Sequence, residues 1–177
     1  MKKQIIKIIF LIIIGAVIGV LSKWGDVIAG MNFLHYFGLI SSGIVLWLVI
    51  GILLLVKSET RKEFNILYFS FMTSMLISYY LFSALIVKYI YIKIIIFWII
   101  MLMCSIILGN NIFNKRHTKL IRNLYIIASM ILIIYDAIII NGIQMEIVII
   151  EMMLSLITLT LINKEIKKQY LIDCERN

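Results

Sequence analysis

The sequence predicts an all-α fold: a polytopic transmembrane bundle of about six helices, with both chain ends on the cytoplasmic side. Three observations predict it. Hydrophobic residues make up 63% of the 177, with a mean hydropathy of +1.09 and no proline. The apolar residues gather into six long runs, each bounded by charge. The Lys and Arg residues fall almost entirely between alternate runs. At 15% charged residues the chain lacks the surface that a water-soluble domain of this length needs. Backbone in lipid must also satisfy its hydrogen bonds within the segment. That selects helices where the alternation of a barrel strand is missing.

The runs cover residues 5–21, 33–56, 64–87, 89–108, 120–140 and 143–162, and residues 163–177 read as a basic cytoplasmic tail of one transmembrane domain. A helix needs about 20 residues to cross a hydrocarbon core of roughly 30 Å. The first run is short and takes Lys7 and Ser22 as interfacial ends. Its outline, Met1-Lys2-Lys3 before Ile5–Leu21, is that of a signal peptide without a small-residue cleavage site, so it is expected to remain as the first span. The fourth run carries Lys93 one turn in, where a long stem can lead the charge outward. The outer links, at Lys23–Asn32, Lys88 and Asn141-Gly142, are short and make consecutive helices antiparallel neighbours.

Orientation follows from the basic residues. With the N-terminus inside, fourteen of the seventeen Lys and Arg lie on the inner side, and only Lys23, Lys88 and Lys93 lie outside. The net charge of +8 therefore reads as orientation and as contact with anionic headgroups of the lipid bilayer at the cytoplasmic loops, not as a nucleic-acid surface. The preference for Ile, Lys and Asn fits an AT-rich bacterial genome, so the expected location is a bacterial cytoplasmic membrane, crossed several times.

No enzyme signature is present: no His-Glu-x-x-His, Gly-x-Ser-x-Gly, phosphate-binding loop or paired-Asp motif. Cys104 lies within an apolar run and Cys174 in the tail, without metal-ligand spacing or a disulfide framework. His117 sits in the basic loop as a headgroup contact, so a Cys104–His117 thiol chemistry is not favoured. The sequence assigns no catalytic residue, no metal and no cofactor.

Charges at membrane depth are the candidates for function, because each is costly unless paired or hydrated. Glu151 is the deepest, about eight residues into the last run, and Gln144, Glu151, Ser155 and Thr158 share one helical face. Asp136 lies near the outer end of the fifth run, with Tyr125 and Ser129 on its side. Asp26 follows Trp24-Gly25 just outside the first. One reading gathers Asp26, Asp136, Glu146 and Glu151, with His35, into an outward-facing polar vestibule. Its ligand-binding residues would be Glu151, Asp136, Asp26 and Ser155. The plainer reading makes the same residues a structural polar network, with Glu146 merely solvated.

Gly15 and Gly19 form a small-xxx-small pair that lets another backbone approach closely. Their partner could be internal, a separate membrane subunit or a second copy of the chain. Ser70, Thr73, Ser74 and Ser78 form a similar stripe in the third run. The helix-packing positions expected are thus Gly15, Gly19, Ser74 and Ser78.

Three strings carry a resemblance: Leu21-Ser22-Lys23-Trp24-Gly25-Asp26, Ser42-Gly43-Ile44-Val45-Leu46-Trp47 and Leu76-Ile77-Ser78-Tyr79-Tyr80-Leu81. Over roughly the first 100 residues the chain resembles a family of small bacterial multi-pass membrane proteins with no assigned function. The resemblance implies an address and a fold, and no activity. In architecture, and through Gly15 and Gly19, the chain is also similar to the substrate-binding membrane subunits of energy-coupling-factor vitamin transporters. Two functions are therefore expected to compete. One is a small-molecule binding or transport component with a polar site in the outer half of the bundle. The other is a structural or regulatory membrane protein, such as an assembly, immunity or envelope factor.

Overall fold

A computed structural model of the chain describes residues 2–27, 33–42, 44–88, 92–135 and 145–176. Among these residues the fold is all-helical, with no strand. The seven helices are α1 (Lys2–Val27), α2 (Phe33–Ser42), α3 (Ile44–Lys57), α4 (Arg61–Phe82), α5 (Ile92–Ile112), α6 (Lys119–Tyr135) and α7 (Met145–Arg176). Four stretches are long and apolar enough to cross a membrane: Gln4–Val27, Arg61–Ile86, Ile92–Lys115 and Glu146–Gln169. The second apolar run is divided between α2 and α3. The fifth is described only as far as Tyr135, so its last residues, including Asp136, lie outside the described residues, as do Gln144 and Asn141-Gly142.

Helix ends differ from the sequence reading where local chemistry extends or stops the backbone ladder. α1 reaches Val27 instead of ending near Leu21, and α7 continues through Lys164 to Arg176, so the basic tail is helical. No Gly or Pro interrupts residues 145–176, and Lys, Glu, Gln and Leu all propagate a helix well. α4 starts at a side-chain N-cap. Thr60 is extended, and its Oγ1 accepts from the Glu63 backbone N–H at 3.1 Å. It ends in a π-helical turn, Ser83–Val87, closed by Lys88. Lys88 has φ 56°, in the left-handed region, and its N–H donates to the Ser83 carbonyl at 3.1 Å.

The helices group into two compact units, Met1–Ser42 with Thr60–Asn110 and Gly43–Glu59 with Asn111–Asn177. In the first, α1 packs along α4 and also against α2. Glycine makes this possible. A Cβ on Gly15 would run into the Ser74 hydroxyl and the Phe71 carbonyl, and one on Gly19 into the Ser78 hydroxyl and the Met75 carbonyl. The face of α1 that bears Gly15 and Gly19 is thus occupied by α4 of the same chain, backbone against backbone. Gly38 of α2 meets α1 in the same way, since a Cβ there would lie 2.8 Å from the Gly25 carbonyl carbon. The buried residues of α4 recur at helical spacing: Phe64, Leu67, Tyr68, Phe71, Met72 and Met75. The opposite side of α1, with Ile6, Phe10, Ile13 and Val17, is exposed and suited to lipid.

In the second unit α3, α6 and α7 pack on one another. Two apolar clusters hold them. One joins Val45, Val49 and Ile133 with Leu132 and Val148; the other joins Val56, Ile121, Tyr125, Ile162 and Ile166.

If backbone contact between α1 and α4 holds the first unit, Gly19→Ala should already lower its stability, by about 1–3 kcal/mol from overpacking. Ile13→Ala, on the exposed side, should stay within about 0.5 kcal/mol of the parent. Thermal unfolding in detergent measures both.

Candidate functional site

Each unit carries its own polar cluster. The first unit pairs charges near both ends of the α1–α4 contact. Lys7 of α1 donates to Glu63 Oε1 of α4 at 2.8 Å, and the Glu63 side chain is only 10% exposed. Glu63 is also the third residue of α4, its backbone N–H donating to Thr60, so its place is set by the start of that helix. Glu63 was not among the residues expected from the sequence, although Thr60-Arg61-Lys62-Glu63 carries the Ser/Thr-x-x-Glu signature that marks it.

Sixteen residues along α1, Lys23 and Asp26 sit 3.7 Å apart. The Tyr79 hydroxyl of α4 donates to Asp26 Oδ2 at 2.6 Å, and the Lys23 ammonium lies 5.0 Å from the Tyr79 ring centroid. Cation, carboxylate and phenol thus form a closed triangle, with the ring quadrupole adding to the charge attraction. Ser22 donates to Ser41 of α2, and Ser41 is itself within 2.6 Å of the Phe37 carbonyl. His35 Nδ1 stands 3.4 Å from the Gly25 carbonyl, an α1–α2 tie between neighbours of the same contact. Asp26 is therefore engaged by Lys23 and Tyr79. The serines of α4 are occupied too: Ser74 and Ser78 donate to the carbonyls three residues back, at 2.8 and 3.0 Å, beneath Gly15 and Gly19.

The second unit is built differently. The buried residues of α7 run Ile147, Glu151, Ser155, Thr158, Ile162 and Ile166, one stripe at spacings of three and four. Those of α6 run Ile121, Tyr125, Ser129 and Ile133. Aligned by the two apolar clusters, the middle of each stripe is polar and its ends are not. Glu151 has no exposed surface, Thr158 is 2% and Ser155 8% exposed. The Tyr125 hydroxyl crosses from α6 to donate to the Ser155 carbonyl of α7 at 3.3 Å. Ser129 and Thr158 donate to carbonyls of their own helices, at 3.0 and 2.8 Å. Each of those hydroxyl oxygens keeps acceptor capacity, and the Ser155 hydroxyl is enclosed without a hydrogen-bond partner. A carboxyl group and four hydroxyls thus occupy the polar middle, or layer, of the two stripes, with apolar residues at their ends.

Of the four residues expected to bind a ligand, Glu151 and Ser155 meet in this layer, Asp26 belongs to the first unit, and Asp136 lies outside the described residues. Glu146, one turn before the layer's first residue, is exposed. Cys104 and Cys174 are free and exposed. No group of three or more His, Cys, Asp or Glu able to hold a metal occurs among the described residues. In the loop before α6, Arg116 stacks its guanidinium 4.1 Å from the Phe113 ring centroid and donates to the Phe113 and Glu59 carbonyls. Partial burial lowers its pKa from the ordinary arginine value.

Comparison with protein-family models, curated proteins and solved structures yields no match. Function is therefore read from the chain's own geometry.

Lys7 is half exposed, which weakens its pair with Glu63 through solvent screening. A double-mutant cycle of Lys7→Met and Glu63→Gln, read by unfolding in detergent, should give a coupling of about 0.5–1 kcal/mol. A coupling near zero would mean the pair contributes nothing to holding α1 on α4.

Proposed function

We propose that the protein is a multi-pass membrane component that binds or passes a small molecule at the Glu151 layer of the second unit. The observation that carries this is the complete burial of Glu151 on the α7 stripe that also bears Ser155 and Thr158, in a helix tied to α6 through Tyr125. Burying a carboxyl group in a helical membrane unit is costly, and aliphatic packing of equal volume generally serves stability better. Hydroxyls that both donate and accept, beside one acid, suit a small solute that presents an amine or other strong donor.

In this reading the chain crosses six times with both ends in the cytoplasm. The spans are α1, α2 with α3, α4 with its π turn, α5, α6 and α7. Support comes from the charge bias: fourteen Lys and Arg on one side against three on the other. Glu151 then lies in the outer half of the last span, about 9 Å along the helix from Met145. A reporter active only outside the membrane should be silent when fused after Asn177, and activity there would reverse the orientation.

The second reading, a structural or regulatory membrane protein without a solute, is favoured by one feature of the first unit. Its charges are closed on each other, as Lys7–Glu63 and Lys23–Asp26, in the manner of packing elements. Substitution at Glu151 separates the two readings. If the layer binds a solute, protein purified from native membranes carries a small molecule visible in native mass spectrometry. Glu151→Leu loses it while keeping or raising thermal stability. If Glu151 is structural, Glu151→Leu lowers stability, and neither form carries a bound molecule.

A further inference from the structure

The second unit has one strongly charged end. Val56 of α3, Ile121 of α6 and Ile166 of α7 share an apolar cluster, which brings the residues following them to the same end of the unit. Those residues are Lys57, Arg122 and Lys167, and Lys119, Lys164 and Lys168 flank them. All but Arg122 are exposed, and Arg122 is partly so. None of the six makes an ion pair among the described residues, where both pairs, Lys7–Glu63 and Lys23–Asp26, belong to the first unit. Among the described side chains of these segments, Glu59 and Glu165 are the acids that stand beside the six cations. Arg116 adds a further fixed charge, its guanidinium held on Phe113.

Cations fixed at one end of a three-helix unit repel one another, and an anion between them relieves that repulsion. The adjoining surface indicates which anion. Leu120, Leu124 and Leu161 are exposed at 44%, 45% and 36%, on the same helices and within a turn of the cations. A basic cluster bordering an exposed aliphatic face matches an amphiphile with an anionic head and acyl chains. A free anion would make no use of the leucines.

We propose that this end of the second unit is a binding site for anionic phospholipids. The headgroup phosphate lies among the α6 and α7 cations, and the acyl chains lie along Leu124 and Leu161. The site is separate from the Glu151 layer and requires only that these helices lie in a bilayer.

The full chain, purified in a neutral detergent, is titrated with phosphatidylglycerol or phosphatidylcholine and read by native mass spectrometry. Phosphatidylglycerol should be retained at least about tenfold better, and its retention should fall as salt rises. Arg122→Gln with Lys167→Gln should weaken that retention about 25-fold, roughly fivefold per charge. The same two-charge change at Lys88 and Lys93, in the first unit, should leave it near the parent value. Equal retention of both lipids, indifference to salt, or an unchanged Arg122/Lys167 variant overturns the proposal. Displacement of the lipid by inorganic phosphate at matching concentration would identify a free phosphate site and overturn it as well. Should the double variant fail to fold, Lys167→Gln alone replaces it: a loss of about fivefold supports the site, and unchanged retention overturns it.

Discussion

Helix α1 can hold two cations within an apolar stretch because it touches α4 at the backbone. Gly15 and Gly19 remove the side chains that would keep the two helices apart, and the contact runs over the serines and carbonyls of α4. Lys7 lies two turns before the glycines and Lys23 one turn after them. At that spacing each ammonium falls opposite an acceptor that α4 supplies or supports: Glu63 at one end, and Asp26 steadied by Tyr79 at the other. With a bulkier residue at Gly15 or Gly19, a separation larger by even one methyl group would stretch the Lys7–Glu63 pair and the Tyr79–Asp26 hydrogen bond together, while Lys23 and Asp26, both on α1, would keep their spacing. In a medium without water to take their place, Lys7 and Glu63 would then lose each other and Asp26 would lose Tyr79. The glycine contact is therefore prior to the Lys7–Glu63 pair and the Tyr79–Asp26 bond, and Gly38 seats α2 on the same helix by a similar close approach.

What the residues announced and what they hid divide along physical lines. Helicity was legible, because hydrocarbon leaves the backbone no alternative and the apolar runs are long. The faces were legible as well: period 3.6 placed Glu151, Ser155 and Thr158 together, and Gly15 opposite a small-residue stripe is a natural fit once both stripes are seen. Partners were not legible. Nothing local in Asp26 says that Tyr79, 53 residues away, donates to it. Lys7 reads as an interfacial end until α4 brings Glu63 alongside. Helix ends were also hidden where an apolar count misses capping chemistry. Thr60 and Glu63 start α4 earlier than hydropathy suggests, and α7 runs past its apolar part because its charged residues are good helix formers.

The two units handle charge in opposite ways. The first matches acid with base, and its hydroxyls turn back to carbonyls on their own helices. This arrangement holds helices together and leaves little chemistry available. The second buries an acid, Glu151, in the middle of the α7 stripe. Its cations gather beyond the cluster that contains Ile166, with Glu59 and Glu165 on the same segments. A buried carboxyl group and clustered cations stabilise a bundle less than aliphatic packing would, since the carboxyl group loses its hydration and the cations repel.

That cost bears on what the second unit does. Leucine at position 151 would fill a similar volume, join the apolar clusters on either side and need no partner. A structural role alone therefore gives little reason for an acid at the most buried point of α7, whereas serine and threonine at 155 and 158 are ordinary in packed membrane helices. The hydroxyls become informative because of the acid. Alone they would read as packing; around Glu151 they complete a set of donors and acceptors within a dry layer. Stability given up at one residue, in a unit otherwise packed with Val, Ile and Leu, is what the binding role proposed for Glu151 would account for.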